Sequence, residues 1–299
     1  MITSDTEDVG LHAGGYDFTV RVYPAQRPDG TLLVWLHGGA FIFGDLEMTE
    51  ADATARALAV RGTSVVSVDY TLASLDVLPV LPPPPPVDGM PSLEELHASL
   101  AAAGPRAPYP AASLQVVAAF DWAVEHAESL GADPARVSVG GASAGGNLAA
   151  SAAVRLRDRG ESIPATEVLI YPVLHAELPA ADEELLERIA DLHPALDFPP
   201  HITRALNANY LDGASPDDAY AFPGGHDPRG LPPTLIVTAD KDRLRASGQV
   251  YAAELAGAGV DVELVKEPAA LHGFLSAVDD PARHRTLARI SRYLTEHAA

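Results

Sequence analysis

The chain of 299 residues contains no cysteine, so disulfides, thiolate nucleophiles and cysteine metal sites are excluded together. Basic residues are scarce: 20 Lys and Arg stand against 41 Asp and Glu, a formal net charge of -21 with the histidines neutral. Nucleic acid and anionic membrane surfaces are thereby poor partners, because each would bind against long-range repulsion. Also missing is any run approaching the roughly 20 apolar residues that a membrane-spanning helix needs. The first fifteen residues are acidic and mixed, with neither a basic flank nor an apolar core, and do not read as a signal peptide. A soluble, cytoplasmic protein is expected. What is present, at 47% hydrophobic and 20% charged, supports a large buried core and excludes disorder over the whole chain.

Short β-branched apolar runs alternate with helical patterns, as in a mostly parallel sheet covered on both faces. Strands are expected at 17–23, 31–36, 64–69, 136–140, 167–171, 234–239 and 261–266. Helices are expected at 49–61, 111–130, 145–158, 245–256 and 281–297. Two segments break this rhythm. The first, 74–110, carries five consecutive prolines at 82–86, which cannot donate to a sheet, and a locally helical stretch at 92–103. The second, from 176 to about 230, is rich in Asp, Glu, Pro and His, with short amphipathic stretches at 183–191 and 201–211. The first could be a linker, but both its ends must return to the same sheet, which favours an insertion over one edge, and the second reads as cap material. Residues 1–299 are therefore expected to form one α/β domain, with a cap built from insertions at about 74–110 and 176–222.

Between the strand ending near Gly140 and the helix starting near Gly145 lies Gly141-x-Ser143-x-Gly145. Small neighbours allow a serine to sit on a sharp strand-to-helix turn with its hydroxyl exposed at the sheet edge. The ordinary alternative is a glycine-rich turn that holds a phosphate, but neither the GxxxxGK[ST] loop nor a usefully placed GxGxxG is present. A nucleophilic serine further requires a base, a carboxylate to orient the base, and amides for an oxyanion. Of eleven histidines, His272 follows the last expected strand, which gives the chain order nucleophile, acid, histidine. His37 precedes the serine and is followed by glycines, which suits a loop-shaping role. His175, His193, His201 and His226 fall in cap material and are expected to be solvated. For the acid, Asp240 and Asp242 both follow the strand at 234–239, and spacing does not choose between them. For the oxyanion, Ala144 follows the nucleophile, and His37-Gly38-Gly39-Ala40-Phe41 supplies a loop of small residues after the strand at 31–36.

Together these pieces resemble the hormone-sensitive-lipase-like family of α/β-hydrolases, the bacterial carboxylesterases of the HGGG and GDSAGG type. The matching stretches run in one order over most of the chain. They are His37-Gly38-Gly39-Ala40-Phe41 with Gly44-Asp45, Val68-Asp69-Tyr70-Thr71-Leu72-Ala73, Gly141-Ala142-Ser143-Ala144-Gly145-Gly146-Asn147, Gly230-Leu231-Pro232-Pro233-Thr234, Asp242-Arg243-Leu244-Arg245 and His272-Gly273-Phe274. The resemblance implies an α/β-hydrolase fold and selects Asp242 as the acid through the family's DxLR pattern. It implies an oxyanion hole from Gly39, Ala40 and Ala144, with Gly38 a lesser candidate. Departures are Ala40 for the third glycine, Thr71 and Ser74 for the Arg and Glu of DYRLAPE, and Ala142 for the Asp of the elbow. The segment before the first strand leaves little room for the family's N-terminal cap helices.

The expected reaction is hydrolysis of a small-molecule acyl ester through an acyl-enzyme, with Ser143 as nucleophile, His272 as base and Asp242 as its orienting acid. No metal or organic cofactor is required. Short acyl chains are expected because the resemblance implies them and no long apolar lid is evident. Phe41, Phe43, Phe222, Leu271 and Phe274 are candidates to line the acyl pocket, and a homodimer through the last strand and helix is in keeping with the family. The competing functions are cleavage of a lactone, amide or carbonate, and a non-catalytic receptor on the same scaffold, as the plant gibberellin receptors exemplify.

Overall fold

A computed structural model of the protein describes residues 6–82 and 104–297. Most of the proline run and the helix expected at 92–103 lie outside the described residues. Eight strands form one sheet: β1 (Glu7–Ala13), β2 (Tyr16–Tyr23), β3 (Gly30–Leu36), β4 (Ser64–Asp69), β5 (Ala132–Ala142), β6 (Glu167–Ile170), β7 (Thr234–Lys241) and β8 (Val262–Leu271), in the order β1-β2-β4-β3-β5-β6-β7-β8. The pairs β1/β2 and β2/β4 are antiparallel and all later pairs parallel.

The central strands are apolar on both faces because helices cover both faces. Along β3 the side chains of Leu32, Val34 and Leu36 enter one core, while Leu33 and Trp35 enter the other. The first core is closed by α2 (Ala111–His126), α3 (Ala144–Arg159) and α7 (Arg245–Gly257), through residues such as Phe120, Leu148 and Leu255. The second is closed by α1 (Asp52–Arg61) and α8 (Pro281–His297), through Leu58, Leu287 and Ile290. Between β6 and β7 the chain forms α4 (Glu183–Ile189), α5 (Pro194–Asp197) and α6 (Pro200–Leu211). The apolar side of α6, with Leu206, Tyr210 and Leu211, packs onto the first core.

Three differences from the sequence expectations have physical causes. The strand β1 is absent from them because Glu7–Ala13 carries charged residues on a half-exposed sheet edge and has no apolar run. Its signal was the Gly14-Gly15 pair, whose φ values of 62° and 85° are those of a tight hairpin turn open to glycine. The strand β8 runs on to Leu271, past 266, with a register irregularity between Ala239 and Lys241 of its partner and a left-handed Ala269 at φ 61°. The helix expected at 111–130 ends at His126, followed by a separate 3-10 turn at Glu128–Leu130.

Glu167, at the start of β6, is fully buried, and among the described residues its carboxyl has one hydrogen-bond partner, the Thr234 hydroxyl at 3.1 Å. Burial pushes its carboxyl up to about 7. A raised native pKa stabilises the fold below about 4.5, the ordinary value, and that contribution is lost as pH rises through about 7. Glu167→Gln is therefore expected to be more stable than the parent protein by about 1–3 kcal/mol at pH 8, with the difference vanishing toward pH 4.5. Thermal melts at the two pH values check this; an equal or lower melting temperature at pH 8 contradicts it.

Candidate active site

Ser143 stands on the turn from β5 into α3 with φ 55° and ψ -117°, a strained conformation for an L-residue. The strain is enforced by close backbone approach. A Cβ on Gly145 would lie 2.3 Å from the Leu36 carbonyl oxygen and 2.4 Å from that of His37, and one on Gly141 would lie 2.4 Å from Gly145. The helix thus begins directly against the end of β3, and only glycine fits at either position. The Ser143 amide still donates to Ile170 O at 2.8 Å, so the turn stays stitched to the sheet while its hydroxyl, on a residue 8% exposed, faces a cleft.

The end of β8 brings His272 to this hydroxyl, with Nε2 and Oγ 3.0 Å apart. On the other side of the ring, Nδ1 lies 2.7 Å from Oδ2 of Asp242, which is fully buried in the turn after β7. The second oxygen of Asp242 accepts from the Leu244 amide at 2.9 Å, which fixes the carboxylate plane. Burial opposes the charged imidazolium, but the Asp242 carboxylate, and beyond it Glu50, outweigh that cost and raise the His272 pKa above its ordinary 6.5. A serine, histidine and aspartate in such a relay can move a proton off a hydroxyl as that oxygen attacks a carbonyl.

Asp240, the other aspartate of the turn, points elsewhere. Its Oδ2 accepts from the Ala269 amide at 3.1 Å, and Oδ1 lies 3.3 Å from both the buried Arg245 guanidinium and Lys266 Nζ. Arg245 also donates to Glu184 on α4. This network ties the cap segment to the two turns that carry Asp242 and His272.

After β3 the chain turns through Gly39 (φ 110°), Ala40 (φ 54°) and Phe41 (φ 67°). Alanine therefore does adopt the left-handed backbone here, at a cost of order 1 kcal/mol. At Gly39 a Cβ would lie 2.1 Å from the Phe43 carbonyl oxygen. Among the described residues the amides of Gly39, Ala40 and Ala144 have no backbone hydrogen-bond partner. Gly38 is a correction to the expected set of donors, because its amide is already given to Glu50 Oε1 at 2.6 Å. His37 shapes the loop from within: it is buried, Nδ1 meets Gly38 O at 2.7 Å, the ring stacks on Tyr70, and burial holds it down to about 4.

The cleft beside Ser143 is open to solvent and is lined by Ala40, Phe41, Val173, Phe198, Leu206 and Leu244, together with Thr203 and Asn207 of α6. Of the five side chains picked from the sequence, Phe41 lies on this lining, stacked on Tyr210 at 4.1 Å. Phe222 packs behind it, edge-on to Phe41 and Tyr210, within the core. Phe274 is buried in the opposite core against Tyr171, Phe43 is a half-buried neighbour of the first core, and Leu271 is 41% exposed at the end of β8. Phe198, edge-on to His272 at 4.7 Å, and Leu206 on α6 also line the cleft, and nothing in the sequence pattern between β6 and β7 says which residues face the serine.

The departures from the family motifs also find local partners. Thr71 exchanges two hydrogen bonds with the Gln115 side chain, at 2.7 and 2.8 Å, and Arg106 donates to the carbonyls of Ile42 and Ala73. Ala142 is buried in the second core. His175, expected to be solvated, is buried with Nδ1 2.9 Å from Ser247 Oγ and Nε2 3.3 Å from Glu254, and it holds the cap's first turn on α7. Among the described residues no three His, Asp or Glu side chains converge to hold a metal, and no helix is long and apolar enough to cross a membrane.

The model of a family described as having the alpha/beta hydrolase fold matches residues 33–82 and 102–276. Carboxylesterase NlhH of Mycobacterium tuberculosis is 35% identical over 269 residues, which cover 87% of this chain and 72% of that protein. Esterase LipI of the same organism is 32% identical over 275 residues, covering 90% and 74%. In structure, the thermostable carboxylesterase EstE1 from a metagenomic library superposes with a TM-score of 0.79 at 29% identity, over 100% of this chain and 90% of that one. The chain belongs to the hormone-sensitive-lipase-like family of α/β-hydrolases.

Two outcomes are expected from this geometry. Gly145→Ala forces the α3 backbone off β3 and should cost about 3 kcal/mol with loss of Ser143 reactivity, read by thermal melting and by labelling with an active-site phosphonate. A variant with parental stability and labelling contradicts the close-approach argument. The Ser143 labelling rate should rise with pH along the deprotonation of His272, with a midpoint above 6.5. A rate flat from pH 5 to 8 contradicts a histidine base.

Proposed function

We propose that the protein is a serine carboxylesterase that hydrolyses short-chain acyl esters through an acyl-enzyme intermediate. The observation that carries this reading is the relay of Ser143, His272 and Asp242, at 3.0 and 2.7 Å, opening onto an apolar cleft beside free amides. Similarity to proteins named carboxylesterase NlhH and esterase LipI supports the same reaction class.

In this mechanism Ser143 Oγ attacks the ester carbonyl while His272 Nε2 takes its proton. Asp242, hydrogen-bonded to Nδ1, holds the tautomer and stabilises the imidazolium. The carbonyl oxygen becomes an oxyanion held by the amides of Gly39, Ala40 and Ala144; one such donor is worth about 3 kcal/mol in the transition state. The imidazolium returns its proton to the leaving alkoxide, and the alcohol departs. Water then repeats the sequence on the acyl-serine and releases the acid. Residues 176–222 act as a cap whose α6 places Leu206 on the lining of the cleft beside Ser143, where it limits the length of the acyl chain.

Ser143→Ala should lower turnover of p-nitrophenyl acetate about 10⁶-fold with the fold intact. Asp242→Asn should cost about 10⁴-fold. Asp240→Asn should act mainly by loosening the Arg245 network, with a lower melting temperature and a far smaller loss of turnover. The reverse ranking of the two aspartates reassigns the acid. In a p-nitrophenyl series of rising chain length, activity should fall beyond the short esters, and Leu206→Ala should raise the hexanoate-to-acetate ratio of kcat/KM about tenfold. An unchanged ratio removes Leu206 from the acyl pocket. Absence of turnover in the parent protein favours a ligand-binding role on this scaffold.

A further inference from the structure

Beneath the loop after β3 lies a carboxylate that the relay does not touch. Glu50, just before α1, is 3% exposed and accepts hydrogen bonds at both oxygens: from the Gly38 amide to Oε1 and from the Tyr171 hydroxyl to Oε2, each at 2.6 Å. Acceptance at both oxygens is the pattern of an ionised carboxylate. Its own backbone carbonyl accepts from the Trp35 indole at 3.0 Å, which pins it against β3. Tyr171 follows directly after β6, with φ 38°, and its ring lies 4.8 Å from that of His272 and 5.0 Å from that of Phe274. One buried side chain therefore grips the loop that carries the Gly39 and Ala40 amides and, through one phenol, the ring on which the histidine packs.

A charge in such a place is costly and contributes little to stability by itself, since a neutral amide could accept from Gly38 and donate to the phenol in the same space. We infer that Glu50 is a positioning residue of the esterase reaction, which sets the oxyanion loop through Gly38 and the His272 ring through Tyr171. The inference rests on the esterase reading above. The groups facing Glu50 are Tyr70 and Tyr171, both held well above the usual phenol range by burial. Facing His272 are Asp242 and, at longer range, Glu50, whose negative charge adds to the forces that favour the imidazolium.

Glu50→Gln keeps the shape and removes the charge. With p-nitrophenyl acetate, kcat is expected to fall about tenfold with KM within about twofold, because the Tyr171 hydroxyl loses its acceptor and the charge that favours the His272 imidazolium is gone. The midpoint of the His272 imidazole titration, followed by NMR without substrate, is expected to move to lower pH, and the acid limb of kcat/KM with it. Tyr171→Phe cuts the link but leaves the charge, so kcat should fall while the His272 midpoint stays above that of Glu50→Gln. A folded Glu50→Gln protein with parental kcat and an unmoved His272 titration overturns the inference. Should that variant not fold, Glu50→Asp retains the charge on a side chain too short to span both donors; a lowered kcat with the parental His272 midpoint supports the assignment, and a parental kcat overturns it. Failure of the esterase reading is seen separately, as absence of turnover in the parent protein, and the substrate-free titration still decides the role of Glu50.

Discussion

The contact on which the site depends is between two pieces of backbone. Gly145, in the first turn of α3, lies so close to the carbonyls of Leu36 and His37 that no side-chain carbon fits between them. That approach forces Ser143 into its strained conformation, lifts the hydroxyl off the sheet edge, and sets the Ala144 amide beside the loop that follows β3. The rest of the constellation is arranged around this serine. Sheet order then supplies the partners: β7 and β8 lie successively outward from β6, so the turns at their carboxyl ends deliver Asp242 and His272 to the same edge.

Electrostatics divides the buried ionisable groups near this edge by function. His37 is fully buried and His272 largely so, yet they are pushed in opposite directions. His37 has a backbone carbonyl and a tyrosine ring for company, so desolvation leaves it neutral and structural. His272 has a fully buried carboxylate at 2.7 Å, so the imidazolium is favoured despite desolvation. The two aspartates of one turn separate in the same way: Asp242 meets the histidine, whereas Asp240 is absorbed by Arg245, Lys266 and the Ala269 amide. Glu184 on α4 joins this arrangement through Arg245, which ties the segment between β6 and β7 to the turn after β7.

Much of this was legible in the sequence because it is written in local chemistry. Glycines at 141 and 145 around a serine, small residues after a β-branched run, and a histidine after the last strand each have a steric or chemical reason to be where they are. The central strands and α8 were legible for the same reason, since burial on both faces or along one stripe leaves a period. What escaped has no period or motif. The edge strand β1 is half-exposed and charged, its turn glycines being the only sign of it. Glu50 and Tyr171 are joined by a hydrogen bond across 121 residues, and Phe198 and Leu206 reach the cleft from the segment between β6 and β7. Of the five apolar candidates, chain position could not tell Phe41, on the cleft wall, from Phe222 behind it or Leu271 in solvent. The occupancy of the Gly38 amide by Glu50 was likewise invisible until both were placed.

The most direct test of the account is to incubate the purified protein with a fluorophosphonate and map the modified peptide by mass spectrometry. The account predicts stoichiometric labelling confined to Ser143, abolished by Ser143→Ala and accompanied by loss of ester turnover. A folded protein that resists the probe, or that is labelled elsewhere while Ser143 stays free, contradicts it.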